Sequence, residues 1–234
     1  MDGKLGIVCQ LVKVSTIPPQ GVVFVYIKRV KDTRSMSDKL STNQVYGKLK
    51  STDFRGFGKP KKNKGARGQL IELALGIPNS SKLTDLIDGE LKTFTVGQTI
   101  SVTSLKHCLS DIIEKTVEFE DSKVGQKLAQ TIYVGFTKDN DHVGTKIVNC
   151  ELDPQHYQQL AEDYGYIAAN IKVAYENGAT LHTITGPNNL LQIRTKASKN
   201  KHGEYTPLCY NGVELKDKYM AFYLLADFGK QVIK

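Results

Sequence analysis

Asp85-Leu86-Ile87-Asp88-Gly89-Glu90-Leu91-Lys92 is the stretch on which the reading of this chain turns. In an extended strand successive side chains alternate faces, so Glu90 and Lys92 are expected to point the same way while Leu91 enters a core. A carboxylate and an ammonium then sit side by side at one sheet edge, with Asp85 arriving from the turn before it. Two acids and one lysine can hold a divalent metal and stabilise charge developing on a phosphate, so metal-dependent phosphodiester hydrolysis is the leading expectation. Glu-x-Lys taken alone is more often a solvated face with a weak ion pair, and the surrounding sequence has to decide.

Immediately upstream, residues 64–76 predict a short helix, with Leu70, Leu73, Ala74 and Ile77 at helical spacing and Gly76 as its stop. Glu72 lies off that apolar stripe, either as a surface glutamate or as a third carboxylate carried toward the site. Downstream, strands are expected at 90–96, 99–105, 131–136, 145–152 and 190–195. The clearest helix is 153–178, with Asp153 as N-cap, Pro154 at the first position, Tyr157, Leu160, Tyr164, Ile167, Ile171 and Ala174 on one face, and Gly178 as stop. Residues 5–14 and 21–30 flank a Pro18-Pro19-Gln20-Gly21 turn and predict a β-hairpin, while 31–52 are polar with weak periodicity. A last apolar stretch runs from Tyr219 to Val232. No repeat is present, and the alternation predicts a mixed α/β fold around one sheet.

The 234-residue chain is long enough to bury a real core as one domain with at most a small lobe. Its 32 Lys and Arg against 24 Asp and Glu leave +8, a balance that favours a polyanionic partner such as nucleic acid. The basic residues are clustered. Arg55 to Arg67 holds six of them, Lys64 included, with no acid and with Gly56, Gly58 and Gly65 interleaved. Arg194, Lys196, Lys199 and Lys201 follow the 190–195 strand. Each cluster reads either as a solvated loop or as a phosphate- or base-contacting segment of a DNA-binding protein. The chain has no apolar run of about 18 residues and no secretory leader pattern, which predicts a cytoplasmic protein with no membrane segment. Cys9, Cys108, Cys150 and Cys209 are far apart and the histidines are scattered, so reduced thiols, mostly core fillers, are expected instead of a zinc site.

Beyond the triplet, the chain resembles the MutH-type endonucleases, which include the mismatch-repair nickase and related GATC-cutting type II restriction enzymes of the PD-(D/E)XK class. Lys64-Gly65, Gly68, Leu70, Glu72 and Leu75-Gly76, then Ser81-Lys82, Asp85 and Glu90-Leu91-Lys92-Thr93, follow the order K-G-x-x-G-x-L-x-E-x-x-L-G, S-K, D, E-L-K-T. Ser122-Lys123-Val124 with Lys127-Leu128, Glu162-Asp163-Tyr164, Leu191 to Ala197 and Phe222-Tyr223-Leu224 resemble later motifs in the same order. The resemblance spans roughly residues 60–234. It implies an α/β, restriction-endonuclease-like mixed central sheet flanked by helices, residues 56–234 forming the endonuclease domain and 1–55 a β-rich N-terminal extension.

Carried over by position, the resemblance implies Asp85 and Glu90 as ligands of Mg²⁺ and Lys92 as the lysine that orients the attacking water or stabilises the phosphate. Glu72 is implied as an accessory carboxylate and Lys127 as a second lysine near the scissile phosphate. Lys64 and Arg67 fall in the basic segment that leads to the site. Arg194 and Lys196, with Lys199 beyond, match a DNA-reading loop, and Tyr223 matches a tyrosine placed near the adenine whose methylation is sensed. The connection from Asp85 to Glu90 is short for the family, so Asp88 competes for the metal role, and Thr195 stands where proline is common. A type II restriction enzyme acting on double-stranded DNA, as a symmetric dimer or by two sequential nicks, is the expected function. A methylation-directed nickase and a non-catalytic DNA-binding domain are the alternatives.

Overall fold

The computed structural model describes residues 6–11, 27–32, 39–57, 65–78, 83–196, 199, 202–211 and 213–233. The strand β5 (Gln130–Phe136) has buried residues on both faces: Ile132, Val134 and Phe136 on one, Thr131, Tyr133 and Gly135 on the other. Such a strand needs cover on both sides. It pairs in parallel with β3 (Glu90–Thr95) and antiparallel with β6 (His142–Asn149). On one face Leu91, Ile132, Val134 and Phe136 pack with Val45 and Leu49 of α1 (Thr42–Lys50) and with Ile71 and Leu75 of α2 (Ala66–Leu75). On the other, Phe94 and Tyr133 join a second and larger core.

That second core is built on four antiparallel strands in the order β4-β11-β8-β7, with β4 at Ile100–Ser104, β7 at Ile184–Thr185, β8 at Leu191–Thr195 and β11 at Met220–Leu224. Leu191, Ile193, Phe222, Leu224, Ile100 and Val102 turn to Leu160, Tyr164, Ile167 and Ile171 of α4 (Pro154–Glu176). The period of two then assigns the opposite face to Gln192 and Arg194, paired across the sheet with Tyr223 and Ala221. The helices α3 (Lys123–Leu128) and α5 (Ala226–Val232) close the ends, and β1 (Gly6–Leu11) with β2 (Ile27–Asp32) and β9 (Pro207–Tyr210) with β10 (Val213–Lys218) form two antiparallel pairs.

Four expectations change. The strands divide among several sheets instead of one, because after Thr95 the chain reverses through Gly97 at φ +80° and β4 takes β11, not β3, as partner. The 31–52 segment yields α1, closed by a Ser41–Gln44 capping box, which the weak periodicity did not disclose. In α2 the buried face is Arg67, Ile71 and Leu75, whereas Leu70 is 37% exposed. The shift follows from Gly68, where an added Cβ would stand 2.9 Å from Thr93 Oγ1, so this side of α2 presses on β3. Of the cysteines, Cys108 fills core, Cys150 is half-buried and Cys209 is exposed; the side chain of Cys9 lies outside the description. Strand candidate residues 22–26 lie outside it too.

Asp163 secures α4 to the four-stranded sheet. It is fully buried and accepts the backbone N–H groups of Asn188, Leu190 and Leu191 at 2.7, 2.8 and 2.8 Å. Gly186 makes room for it, since a Cβ there would fall 2.2 Å from the carboxyl carbon. Asp163→Ala orphans three N–H groups at the entry to β8 and is expected to lower the unfolding free energy by about 3 kcal/mol. Urea denaturation checks this, and a loss below about 1 kcal/mol contradicts the latch.

Candidate functional site

Glu90 opens β3 and is 1% exposed, a position in which an ionised carboxylate costs several kcal/mol unless its oxygens are satisfied. They are. Oε1 accepts from Lys92 Nζ at 2.7 Å and from Lys127 Nζ at 2.6 Å, and Oε2 accepts the backbone N–H of Asp85 at 3.0 Å. Burial pushes the Glu90 carboxyl up, but the two ammonium groups outweigh it and hold the group below the usual range. Lys92 reaches Glu90 because alternate residues of β3 share a face, and Lys127 because α3 runs directly into β5, the partner of β3, with Thr131 Oγ1 donating to the Lys127 carbonyl at 2.8 Å.

Asp85 and Glu72 complete the cluster with opposite electrostatics. Burial first, and the Glu90 carboxylate second, raise the Asp85 carboxyl. Burial and then Asp85 push Glu72 up to about 7. Both acids therefore crowd negative charge that a cation would relieve. Glu72 comes from α2, one turn after Gly68, so the close approach of that helix to β3 places it. Asp88, the rival for the metal role, is exposed and accepts Thr42 N and Oγ1 at 2.7 and 2.8 Å, which commits it to the first turn of α1.

Among the described residues no group of three or more His, Cys, Asp or Glu side chains is disposed to hold a metal ion. Magnesium commonly uses only one or two carboxylates and completes its shell with water and phosphate oxygens. The hard oxygen donors of Asp85 and Glu90, with the excess negative charge at Asp85 and Glu72, fit that ion.

The polar face of the four-stranded sheet adjoins this cluster. Arg194 stacks its guanidinium over the Tyr223 ring at 4.4 Å and donates to Thr99 Oγ1 at 2.8 Å. Lys196 donates to Ser101 Oγ at 3.2 Å, and its ammonium pKa is lowered by burial and then by Lys92, so the two lysines lie within electrostatic reach. Lys199 is exposed with Nζ 5.4 Å from the Tyr205 ring centroid. The structure thus brings Glu72, Asp85, Glu90, Lys92 and Lys127 together and sets Lys196 beside them.

Arg67 is the exception. It is 6% exposed, donates to Asn140 Oδ1 at 2.7 Å and Thr95 Oγ1 at 3.2 Å, and lies 3.9 Å over Phe136, so its guanidinium braces the core instead of facing a DNA partner. Lys64 lies outside the described residues. Thr99 and Ser101, the orienters of Arg194 and Lys196, were not singled out from sequence; their signal was the same period of two, running from just before β4 into it, that marks Gln192 and Arg194 in β8 and Lys196 just past it. No helix among the described residues is long and apolar enough to cross a membrane. Comparison with protein-family models gave no match, and neither did comparison with curated proteins.

A cation at this cluster stabilises the folded state by mass action. At a Mg²⁺ concentration of about ten times Kd, the melting temperature is expected to rise by roughly 3–5 °C. Because the Asp85 pKa is raised, its ionised form weakens the folded state above the ordinary carboxyl pKa. At pH 8 in EDTA, Asp85→Asn is therefore expected to melt at or above the wild type, and Mg²⁺ should no longer raise it. An undiminished Mg²⁺ shift in the variant removes Asp85 from the site.

Proposed function

We propose that this protein is a Mg²⁺-dependent, sequence-specific DNA endonuclease of the type II restriction class, cutting a short palindrome such as GATC. The observation that carries the reading is the convergence on buried Glu90 of Lys92 from the same strand and Lys127 from α3, with Asp85 and Glu72 beside it. The parallel β3-β5 pair flanked by α1 and α2 supports a restriction-endonuclease-like fold for the domain, the β1-β2 pair belonging to an N-terminal extension. The motif order shared with MutH-type enzymes supports the same class. As a cytoplasmic enzyme it would meet double-stranded DNA and act on a palindrome as a symmetric dimer or by two nicks.

In this reading Asp85 and Glu90 would hold the ion, which when bound lowers the pKa of a coordinated water and offsets phosphate charge. Lys92 and Lys127 keep two positive charges at the Glu90 carboxylate, where the phosphate gains negative charge during in-line attack. Neither lysine has to lose a proton to do this. Glu72 is poised near neutrality, so it can accept a proton from an attacking water or share one with Asp85. On the adjacent face Arg194 presents a planar fork able to pair with guanine O6 and N7, and Tyr223, whose ring centroid lies 4.4 Å from it, would report on the neighbouring base.

Lys92→Ala is expected to reduce cleavage of duplex DNA by at least about 1000-fold while leaving the DNA dissociation constant within about threefold of wild type. Single-turnover cleavage in Mg²⁺ and fluorescence anisotropy in Ca²⁺ measure the two. Cleavage at the wild-type rate would exclude Lys92 from the chemistry, and no cleavage by the wild type on any duplex would favour a domain that only binds DNA.

A further inference from the structure

The positive charge not engaged at Glu90 is distributed along a line. At the start of α3, Lys123 Nζ donates to the His107 carbonyl at 2.6 Å and lies 3.5 Å from Asp111. Asp111 also faces Lys115 at 3.6 Å, and Glu114 acts on Lys115 as well, so Lys115 has carboxylates of its own while Lys123 shares Asp111. The turn after β4 holds Lys106 and a partly covered His107 at the surface, with Lys106 Nζ 5.8 Å from the Tyr219 ring centroid. Tyr219 ties this turn to the end of β8: its hydroxyl accepts from Ser104 at 2.6 Å and its carbonyl accepts the Lys196 N–H at 2.8 Å. Lys196 lies within electrostatic reach of Lys92, and Lys127 closes the other end of α3 onto Glu90. The path from Lys123 through Lys106 and Lys196 to Lys92 therefore borders the active cluster.

These charges are poor candidates for a stabilising network. The pairs to Asp111 are loose, and Lys123 and Lys115 have side chains 40% and 61% exposed, so each contributes little to folding. The exposed Lys106 ammonium, with Lys123 40% exposed beside the His107 carbonyl, suits a polyanion, whose binding releases condensed counterions. His107, whose imidazolium is disfavoured by burial and then by Lys106, Lys123 and Lys127, can offer a neutral N–H in the same field.

Building on the endonuclease reading, we infer that Lys106, His107 and Lys123 bind the DNA phosphate backbone flanking the cut site, as a sequence-independent contact that seats the duplex against Glu90. They position the strand; Arg194 and its neighbours read bases.

The test is a KCl series of anisotropy titrations in Ca²⁺ on two fluorescein-labelled duplexes, one with the cleaved sequence and one with it scrambled. For K106A/K123A the slope of log K against log[KCl] is expected to fall in magnitude by about 2, and both duplexes should bind roughly tenfold more weakly with their ratio unchanged. K106R/K123R should keep the wild-type slope, which separates lost charge from a disturbed fold. An unchanged slope, or weakening confined to the specific duplex, overturns the inference while leaving the endonuclease reading intact. Failure of the wild type to bind either duplex overturns both.

Discussion

A carboxylate taken out of water at the start of β3 is the constraint around which this molecule is arranged. Glu90 is tolerable at 1% exposure only because two ammonium groups and one backbone N–H surround it. Each donor comes from a different part of the chain: Lys92 from β3 itself, Lys127 from α3, and the amide of Asp85 from the turn. Removing any of them leaves a buried charge short of a partner, so the local fold and the proposed chemistry share one set of contacts. Asp85 and Glu72 stand on the other side of the balance, with protons held more tightly than usual because burial and then a neighbouring carboxylate outweigh the nearby lysine charge. The resulting neighbourhood has strong positive and negative groups within a few ångströms, and a phosphate with its counter-cation would relieve both.

The two sheets divide the labour. The β3-β5-β6 sheet carries Glu90 and Lys92 at the start of β3, where Asp85 from the turn, Glu72 from α2 and Lys127 from α3 join them, and it is braced by α1 and α2 through Val45, Leu49, Ile71 and Leu75. The four-stranded sheet turns its apolar face to α4 and leaves Gln192, Arg194, Lys196 and Tyr223 on the other. Asp163 fixes the start of β8 and so the position of its alternate residues. The cation-π stack of Arg194 on Tyr223 and the Thr99 contact pre-order a side chain that would otherwise lose much rotamer freedom on binding.

The local chemistry was more legible in the sequence than the assembly. Glu90-Leu91-Lys92 announced itself because a period of two needs only three residues, and α4 because Asp153, Pro154 and the three-four spacing act within one segment. What the sequence hid depends on partners distant in the chain. Arg67 lies in a basic run and read as a DNA contact, yet Asn140, Thr95 and Phe136 draw it inward, and nothing local encodes that choice. The buried face of α2 moved by one residue because Gly68 sets its approach to Thr93, a packing effect that stripe counting cannot supply. α1 was missed because its fully buried apolar residues are Val45 and Leu49, four residues apart, with Tyr46 packing at the side, too short a pattern to stand out from a polar stretch.

The most direct measurement is incubation of unmethylated plasmid with the purified protein in Mg²⁺ and in EDTA, with the ends of every product sequenced. Mg²⁺-dependent double-strand breaks at one short palindrome are the predicted result. Intact plasmid in Mg²⁺, or cutting that persists in EDTA, would contradict the assignment of a metal-dependent endonuclease centre at Glu90.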